Sequence, residues 1–317
     1  MNKRIPALIL AVLMLITVLT ACSRNRRQPG DPAKAVFISQ ITTDPSQKFA
    51  WDEFERLKNE FSFEMTAYPV TNGTADEITA IEYAVAEKYD VIFINPSNPE
   101  GVVTALKRAY DSGITVGVFA TNLPEANQNV MHFFNGSDDY EGSRYAAYYL
   151  ATVFPEGARF VEIGGPTGTY AQARRHEGFL AGLPANIYEL DSENVTDGWN
   201  TAEARTIMEN FLMAYGDDID IVWCHWDDGA AAAISATQAA GRTDLFIIGF
   251  DGTGTGFDNV RDGKQSLSIG QDISLMVRQS LETARAKLDG EDFEKINIIQ
   301  NVLILSENVN SMTRPDW

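Results

Sequence analysis

Cysteine is nearly absent: two in 317 residues, Cys22 and Cys224. Cys22 follows an apolar N-terminal run, and once that run is removed with Cys22 at the new terminus, Cys224 has no partner for a structural disulfide. Basic charge is short as well, with 25 Lys and Arg against 44 Asp and Glu and a formal net charge of −19. No basic surface exists to neutralise phosphates, which excludes nucleic acid as a partner. Only three histidines occur, and they fall in separate segments. Cys224 and His225 are neighbours on an apolar strand, where successive side chains point to opposite faces. They do not make a zinc site, which needs three convergent ligands. No G-x-S-x-G elbow appears. "GGPTGT" (164–169) lacks the P-loop lysine, and "DGTGTG" (251–256) is not a dinucleotide fingerprint. "DSENVTDGW" (191–199) misses the register of a calcium loop. Neither an enzyme nor a metal or cofactor is expected. Beyond the first 21 residues there is no apolar run long enough to span a membrane.

The N-terminus is a short basic "MNKR" followed by "IPALILAVLMLITVL" (5–19). That pattern reads as an export signal covering residues 1–21. "LTAC" (19–22) resembles the bacterial lipobox, which implies that Cys22 becomes the lipidated first residue of the mature chain. Acyl chains bind a bilayer with about 0.8 kcal/mol per buried methylene, so a multiply acylated cysteine anchors stably. "CSRNRRQPGDPA" (22–33) is polar and aperiodic, a tether between membrane and folded part. The expected location is extracytoplasmic, on a lipid anchor.

From residue 34 onward, apolar runs of strand length alternate with helical periodicity. "KAVFIS" (34–39), "FEMTAY" (63–68), "DVIFINP" (90–96), "ITVGVFA" (114–120) and "VMHFF" (130–134) read as strands with helices between them. The rhythm repeats with "ARFVEIGG" (158–165), "NIYELD" (186–191), "IDIVWCHW" (219–226), "DLFIIGFDG" (244–252) and "SLSIGQ" (266–271). "NIIQNVLIL" (297–305) closes the series as one further strand. This order predicts an α/β fold of two Rossmann-like lobes, each a parallel sheet flanked by helices. The expected division is 34–136 with 272–300 in one lobe, and 137–271 with 301–317 in the other. Three crossings, near Asn135–Asp138, Gly270–Gln271 and Asn301, form the hinge. In such sheets a ligand binds beyond the carboxyl ends of the strands. "WCHWDDG" (223–229) stands at such an end, with Asp227 or Asp228 available to cap the following helix.

"INP" (94–96), "GSDDYEGSRYAAYYL" (136–150), "EIGGPTGTYAQARRHEGF" (162–179), "WNTAEARTIMENFL" (199–212), "IIGFDGT" (247–253) and "SIGQD" (268–272) occur in an order and spacing that resemble the type I periplasmic binding proteins. The likeness is to the ribose/galactose branch, the solute receptors of ABC importers, and spans roughly residues 34–306. It implies a ligand-binding role for Asn95, Arg175, Trp199, Asp251 and Gln271. Sugar hydroxyls both donate and accept, and sugar rings present apolar faces, so amides, carboxylates, a guanidinium and aromatic walls suit them. Departures from the family pattern are informative. The family often has Asp-Arg after the fourth strand; here "VFATNLP" (118–124) has Ala120 and Thr121, leaving Asn122 as the remaining amide. Trp226-Asp227 stands where Asn-Asp is usual, which makes Trp226 a candidate pocket wall. The first loop, "TTDPSQKFAW" (42–51), offers Phe49 or Trp51 as its ligand-facing ring. Fewer polar contacts and more aromatic area predict a ligand less polar than ribose, such as a deoxy sugar, polyol or glycoside. The resemblance further implies a monomer that delivers its ligand to an ABC permease; the same fold also serves sensors that present a ligand to a chemoreceptor or sensor kinase.

Overall fold

The computed structural model describes residues 32–196 and 198–317; the signal segment and Cys22 lie outside them. The first half runs β1 (Ala33–Ser39), α1 (Pro45–Leu57), β2 (Phe63–Pro69), α2 (Thr74–Ala86), β3 (Val91–Ile94), α3 (Val103–Asp111), β4 (Thr115–Phe119) and β5 (Phe133–Ser137). The second runs α4 (Asp139–Val153), β6 (Ala158–Gly164), α5 (Tyr170–Gly182), β7 (Ile187–Asn194), α6 (Thr201–Tyr215), β8 (Ile221–Cys224), α7 (Asp227–Ala239), β9 (Phe246–Asp251), α8 (Gly254–Arg261) and β10 (Leu267–Gly270). Helix α9 (Ile273–Asp289) and strands β11 (Ile296–Ile299) and β12 (Val302–Leu305) follow.

Two six-stranded sheets result, ordered β11-β5-β4-β3-β1-β2 and β12-β10-β9-β8-β6-β7. The first is parallel throughout, whereas in the second β12 runs antiparallel to β10. The chain passes from the first sheet to the second after Ser137, returns after Gly270, and passes again between Ile299 and Val302. The α/β, two-lobed architecture with three connecting segments is therefore as the sequence predicts.

Some details differ. The expected single strand 297–305 is two strands in different sheets, because Gln300 and Asn301 carry the chain across. Strand β5 begins at Phe133 and continues through Asn135–Ser137, since Asn135 pairs with both β4 and β11, and Gly136 and Ser137 pair with β11. Residues 125–130 instead form a 3-10 turn. Ala33, expected in the tether, already pairs with Phe63 in the sheet.

Each sheet buries both faces, as a parallel sheet flanked by helices must. Alternation along the strands sorts the side chains. In β1, Ala35 and Phe37 face α1 and α9, while Val36 and Ile38 face α2 and α3. In β8, Ile221 and Trp223 pack toward α4 and α5, while Val222 and Cys224 pack toward α6 and α7. The Trp223 ring lies stacked on Phe179 with centroids 4.8 Å apart. A smaller cluster of Phe257, Val260, Ile304 and Val309 seats α8 and the segment after β12. Among the described residues no helix is long and apolar enough to cross a membrane.

Candidate functional site

The carboxyl ends of the two sheets face each other across a cavity. Asn95, Arg175, Trp199, Trp226, Asp251 and Gln271 all line it. Two residues singled out from the sequence lie elsewhere. Asn122 lines a separate neighbouring cavity, and its Oδ1 is taken by the Leu123 N–H at 2.8 Å. Phe49 turns away on α1 and stacks against Trp317, with ring centroids 5.5 Å apart. Trp51 packs against the first-lobe core. The ring at that edge of the cavity is Trp317.

Arg175 is the organising charge, although only 5% exposed. It is a buried guanidinium whose donors are nearly all engaged. Nε and an Nη donate to Asp139 Oδ1 at 3.4 Å, and another Nη donates to the His225 carbonyl. Asp251 Oδ1 lies 3.2 Å from the guanidinium, which itself sits 3.8 Å from the centroid of Phe250. Its neighbour Arg174 points away, pairing with Glu177 at 2.7 Å. The His225 carbonyl is held by what lies behind it. His225 is fully buried, and its Nε2–H donates to Glu162 Oε1 at 2.8 Å, while Glu162 also receives His176 Nδ1 at 2.9 Å. Burial alone would raise the Glu162 carboxyl, but these two hydrogen bonds bring it to about 2. Burial pushes His225 down, so it is a neutral donor in a structural relay.

Asp251 ends β9 with φ +105°, a conformation that a non-glycine residue adopts only where its surroundings hold it. They do so here: the Gln271 N–H donates to the Asp251 carbonyl at 3.0 Å and Gln271 Nε2 to Asp251 Oδ1 at 2.9 Å. Burial raises the Asp251 carboxyl well above its usual range, and the Arg175 charge pulls it back. Gln271 also accepts from Ser137 Oγ at 2.6 Å, so one amide joins the end of β5 in one lobe to the end of β9 in the other. It sits at a chain crossing.

Two glycines make room for the aromatic wall. A Cβ at Gly165 would come within 2.5 Å of the Trp199 ring, and one at Gly229 within 2.6 Å of the Trp226 ring. The two indoles meet edge to face with centroids 5.4 Å apart.

The resemblance did not single out Asp44, Gln47, Asp139, Asp228 or Thr253, which also line the cavity. Their signal lay in helix-start patterns. Asp44 precedes Pro45, caps α1 by accepting from Ser46 N at 2.9 Å and Gln47 N at 3.3 Å, and thereby holds its carboxylate at the cavity edge. Asp139 and Asp228 occupy the first turns of α4 and α7, at the positive ends of those helices. Neither Asp227 nor Asp228 is the cap of α7; that position is Trp226, which makes no side-chain capping bond. Asp227 turns inward, accepting from Thr253 N at 2.9 Å and from Gln265 Nε2 and Ser268 Oγ at 2.8 Å. Burial pushes its carboxyl up to about 6. Cys224 is fully buried and its thiol is pushed up by burial, which leaves it inert. The expectation of a less polar ligand counted only the positions named by the resemblance; with these aspartates the cavity is both aromatic and strongly polar.

Two opposed Rossmann-like sheets with a polar, aromatic-walled cavity between their carboxyl ends describe a small-molecule receptor. Residues 35–292 match the periplasmic binding protein domain family, and the chain belongs to it. It is a binding protein, not an enzyme, and its family works outside the cytoplasm. The chain is 28% identical over 240 residues to the ribose import binding protein of Escherichia coli K12, covering 76% of this chain and 79% of that one. A Caulobacter myo-inositol binding protein with myo-inositol bound superposes with a TM-score of 0.82 at 21% identity, covering 92% of this chain and 99% of that one. The fructose binding periplasmic domain of a hybrid two-component system superposes with a TM-score of 0.78 at 21% identity, over 87% and 93% of the two chains.

Proposed function

We propose that this chain is a lipid-anchored receptor that captures a sugar or sugar-like ring between its lobes and delivers it to an ABC permease. The observation that carries the reading is the Arg175–Asp251–Gln271 group beside the Trp199–Trp226 wall, polar and aromatic elements converging on one cavity. Asn95, Arg175, Trp199, Trp226, Asp251 and Gln271 are its ligand contacts. Cys22 carries the anchor, the residues from 22 up to 32 the tether, and the protein acts as a monomer. Lobes of 33–137 with 272–300 and of 138–271 with 301–317, one residue beyond the sequence-based bounds at the first lobe's start and at the first crossing, close by bending at the three crossings. Binding drives closure only to the extent that the ligand prefers the closed form. The likeness to a two-component sensor domain supports a second reading, in which the closed form signals to a kinase rather than feeding a permease.

Thermal unfolding of the chain from residue 31 onward, against sugars, polyols, nucleosides and amino acids, tests this directly. A ligand at about a hundred times its dissociation constant stabilises by about 2.7 kcal/mol. A raised midpoint with a sugar or polyol is the expected result. Stabilisation by nucleosides or amino acids alone would overturn the ligand class.

A further inference from the structure

Beyond β12 the chain has only one 3-10 turn, Val309–Ser311, yet it is held firmly to the second lobe. Val309 and Met312 pack with Phe257, Val260 and Ile304. Arg314 forks onto Asp258 of α8, its Nε donating to both carboxylate oxygens at 3.0 Å and an Nη to Oδ2 at 2.9 Å. The Gly254 N–H, at the start of α8, donates to the Trp317 carbonyl. A side chain at Gly254 would disturb this seat, since its Cβ would fall 2.7 Å from the Arg314 guanidinium.

From that seat the Trp317 ring crosses to the other lobe. It stacks on Phe49 of α1 with centroids 5.5 Å apart and planes 16° from parallel, and it packs against the first-lobe core. The ring also stands where two hollows meet. It lines the interlobe cavity, and it lines a second groove bounded by α1, the start of α9 and the segment after β12. Among the described residues, Gln271, Ile273 and Trp317 alone line both. Gln271 is fixed by its bonds to Ser137 and Asp251, and Ile273 is buried at the start of α9. Trp317 is the member of this partition that belongs to neither a chain crossing nor a helix.

We propose that Trp317 is a plug: carried by the second lobe and seated on Phe49 of the first, it seals the cavity from the second groove and presents its ring to the ligand as a third aromatic wall. The ligand contact rests on the carbohydrate reading above; the seal does not. An indole suits the apolar face of a sugar ring. Excluding water strengthens the polar contacts on the other side of that ring, as contacts around a buried anchor do at any interface. Loss of the plug therefore acts on how fast a ligand escapes more than on how fast it enters.

Acrylamide quenching of tryptophan emission tests the seal with no sugar present. Trp317→Ala and Trp317→Phe, each checked for a cooperative melt, retain the same four tryptophans, so a difference between them reports access and not a lost emitter. The phenyl ring still stacks on Phe49, whereas alanine opens the partition. Quenching should be about 1.5-fold stronger in Trp317→Ala, since the contact that excludes water is gone. Equal quenching in the two variants would overturn the seal. Calorimetric titration with D-ribose, D-fructose, D-allose and myo-inositol tests the ligand contact. Any of the four that binds the wild type should bind Trp317→Ala about tenfold more weakly and Trp317→Phe within about threefold, with the loss in the dissociation rate. Undiminished affinity in a folded Trp317→Ala would overturn the contact. Binding of none of the four by the wild type would count against the carbohydrate reading and the contact that rests on it, while the quenching result still decides the seal.

Discussion

Replacing Arg175 by methionine keeps much of the side chain's length and removes its charge. The guanidinium is 5% exposed, and its removal leaves the Asp139 and Asp251 carboxylates close together without a cation, with the His225 carbonyl unpaired. Breaking a buried ion pair from one side costs about 3–5 kcal/mol. At about 2 °C per kcal/mol for a chain of this size, the melting temperature should fall by roughly 6–10 °C near neutral pH. The loss should depend on pH in a definite direction. Burial already raises both carboxyls, and the Arg175 charge is what pulls them back. A carboxyl whose folded pKa lies above its unfolded value contributes stability that is present below the unfolded pKa, about 3.9, and is lost as pH rises through the folded pKa. Without the guanidinium the folded values climb further, so the deficit of Arg175→Met should be small near pH 4 and full near pH 8. Differential scanning calorimetry of both proteins across that range measures it. A deficit that is equal at both ends, or below about 1 kcal/mol at neutral pH, would refute the assignment of Arg175 as the counter-ion of these two aspartates.

Gly229→Ala sets two effects against each other: alanine in a helix gains about 1 kcal/mol, but its Cβ would meet the Trp226 ring, where overpacking costs about 1–3 kcal/mol. Ligand affinity should fall at least about tenfold with no gain in melting temperature, as titration and a melt will show. Cys224 should react with a thiol reagent at least about a hundred times more slowly in the folded protein than in denaturant, because only the exposed thiolate attacks. Gln271→Ala removes the bridge between Ser137 and Asp251 and should weaken ligand binding by about 1–2 kcal/mol while also freeing the lobes, seen as a larger radius of gyration without ligand.

Most of the fold was legible because both sheets are buried on two faces, so their strands read as continuous apolar runs between helices. What escaped was local. The turn at Gln300–Asn301 carries no proline or glycine, and two short apolar strands therefore read as one. Asn135–Ser137 looked like a linker, but its backbone pairing, invisible in composition, makes it strand. In the site, Arg175, Asp251 and the tryptophans stood out through family spacing. Asp44, Asp139 and Asp228 did not, because an aspartate at a helix start is expected for capping or dipole reasons and carries no separate mark of facing a ligand. Trp317 was unreadable for another reason: its place in the cavity depends on the segment after β12 folding back, where Arg314 pairs with Asp258 at 2.9 Å and the Trp317 carbonyl accepts from the Gly254 N–H. Phe49 was misplaced by the same contact, since Trp317 occupies the edge that Phe49 was expected to fill.

Three of the five tryptophans, Trp199, Trp226 and Trp317, border the cavity. Trp223 is fully buried and Trp51 packs in the first lobe, so the chain's own fluorescence reports on the cleft. Titrating the ligand found by the thermal panel, in wild-type protein and in Trp199→Ala, tests the cleft as the binding site most directly. A saturable emission change in the wild type, with affinity weakened about thirtyfold or more in a folded Trp199→Ala, is the predicted result, as for an aromatic anchor worth about 2 kcal/mol. Undiminished affinity in Trp199→Ala would place the ligand somewhere else.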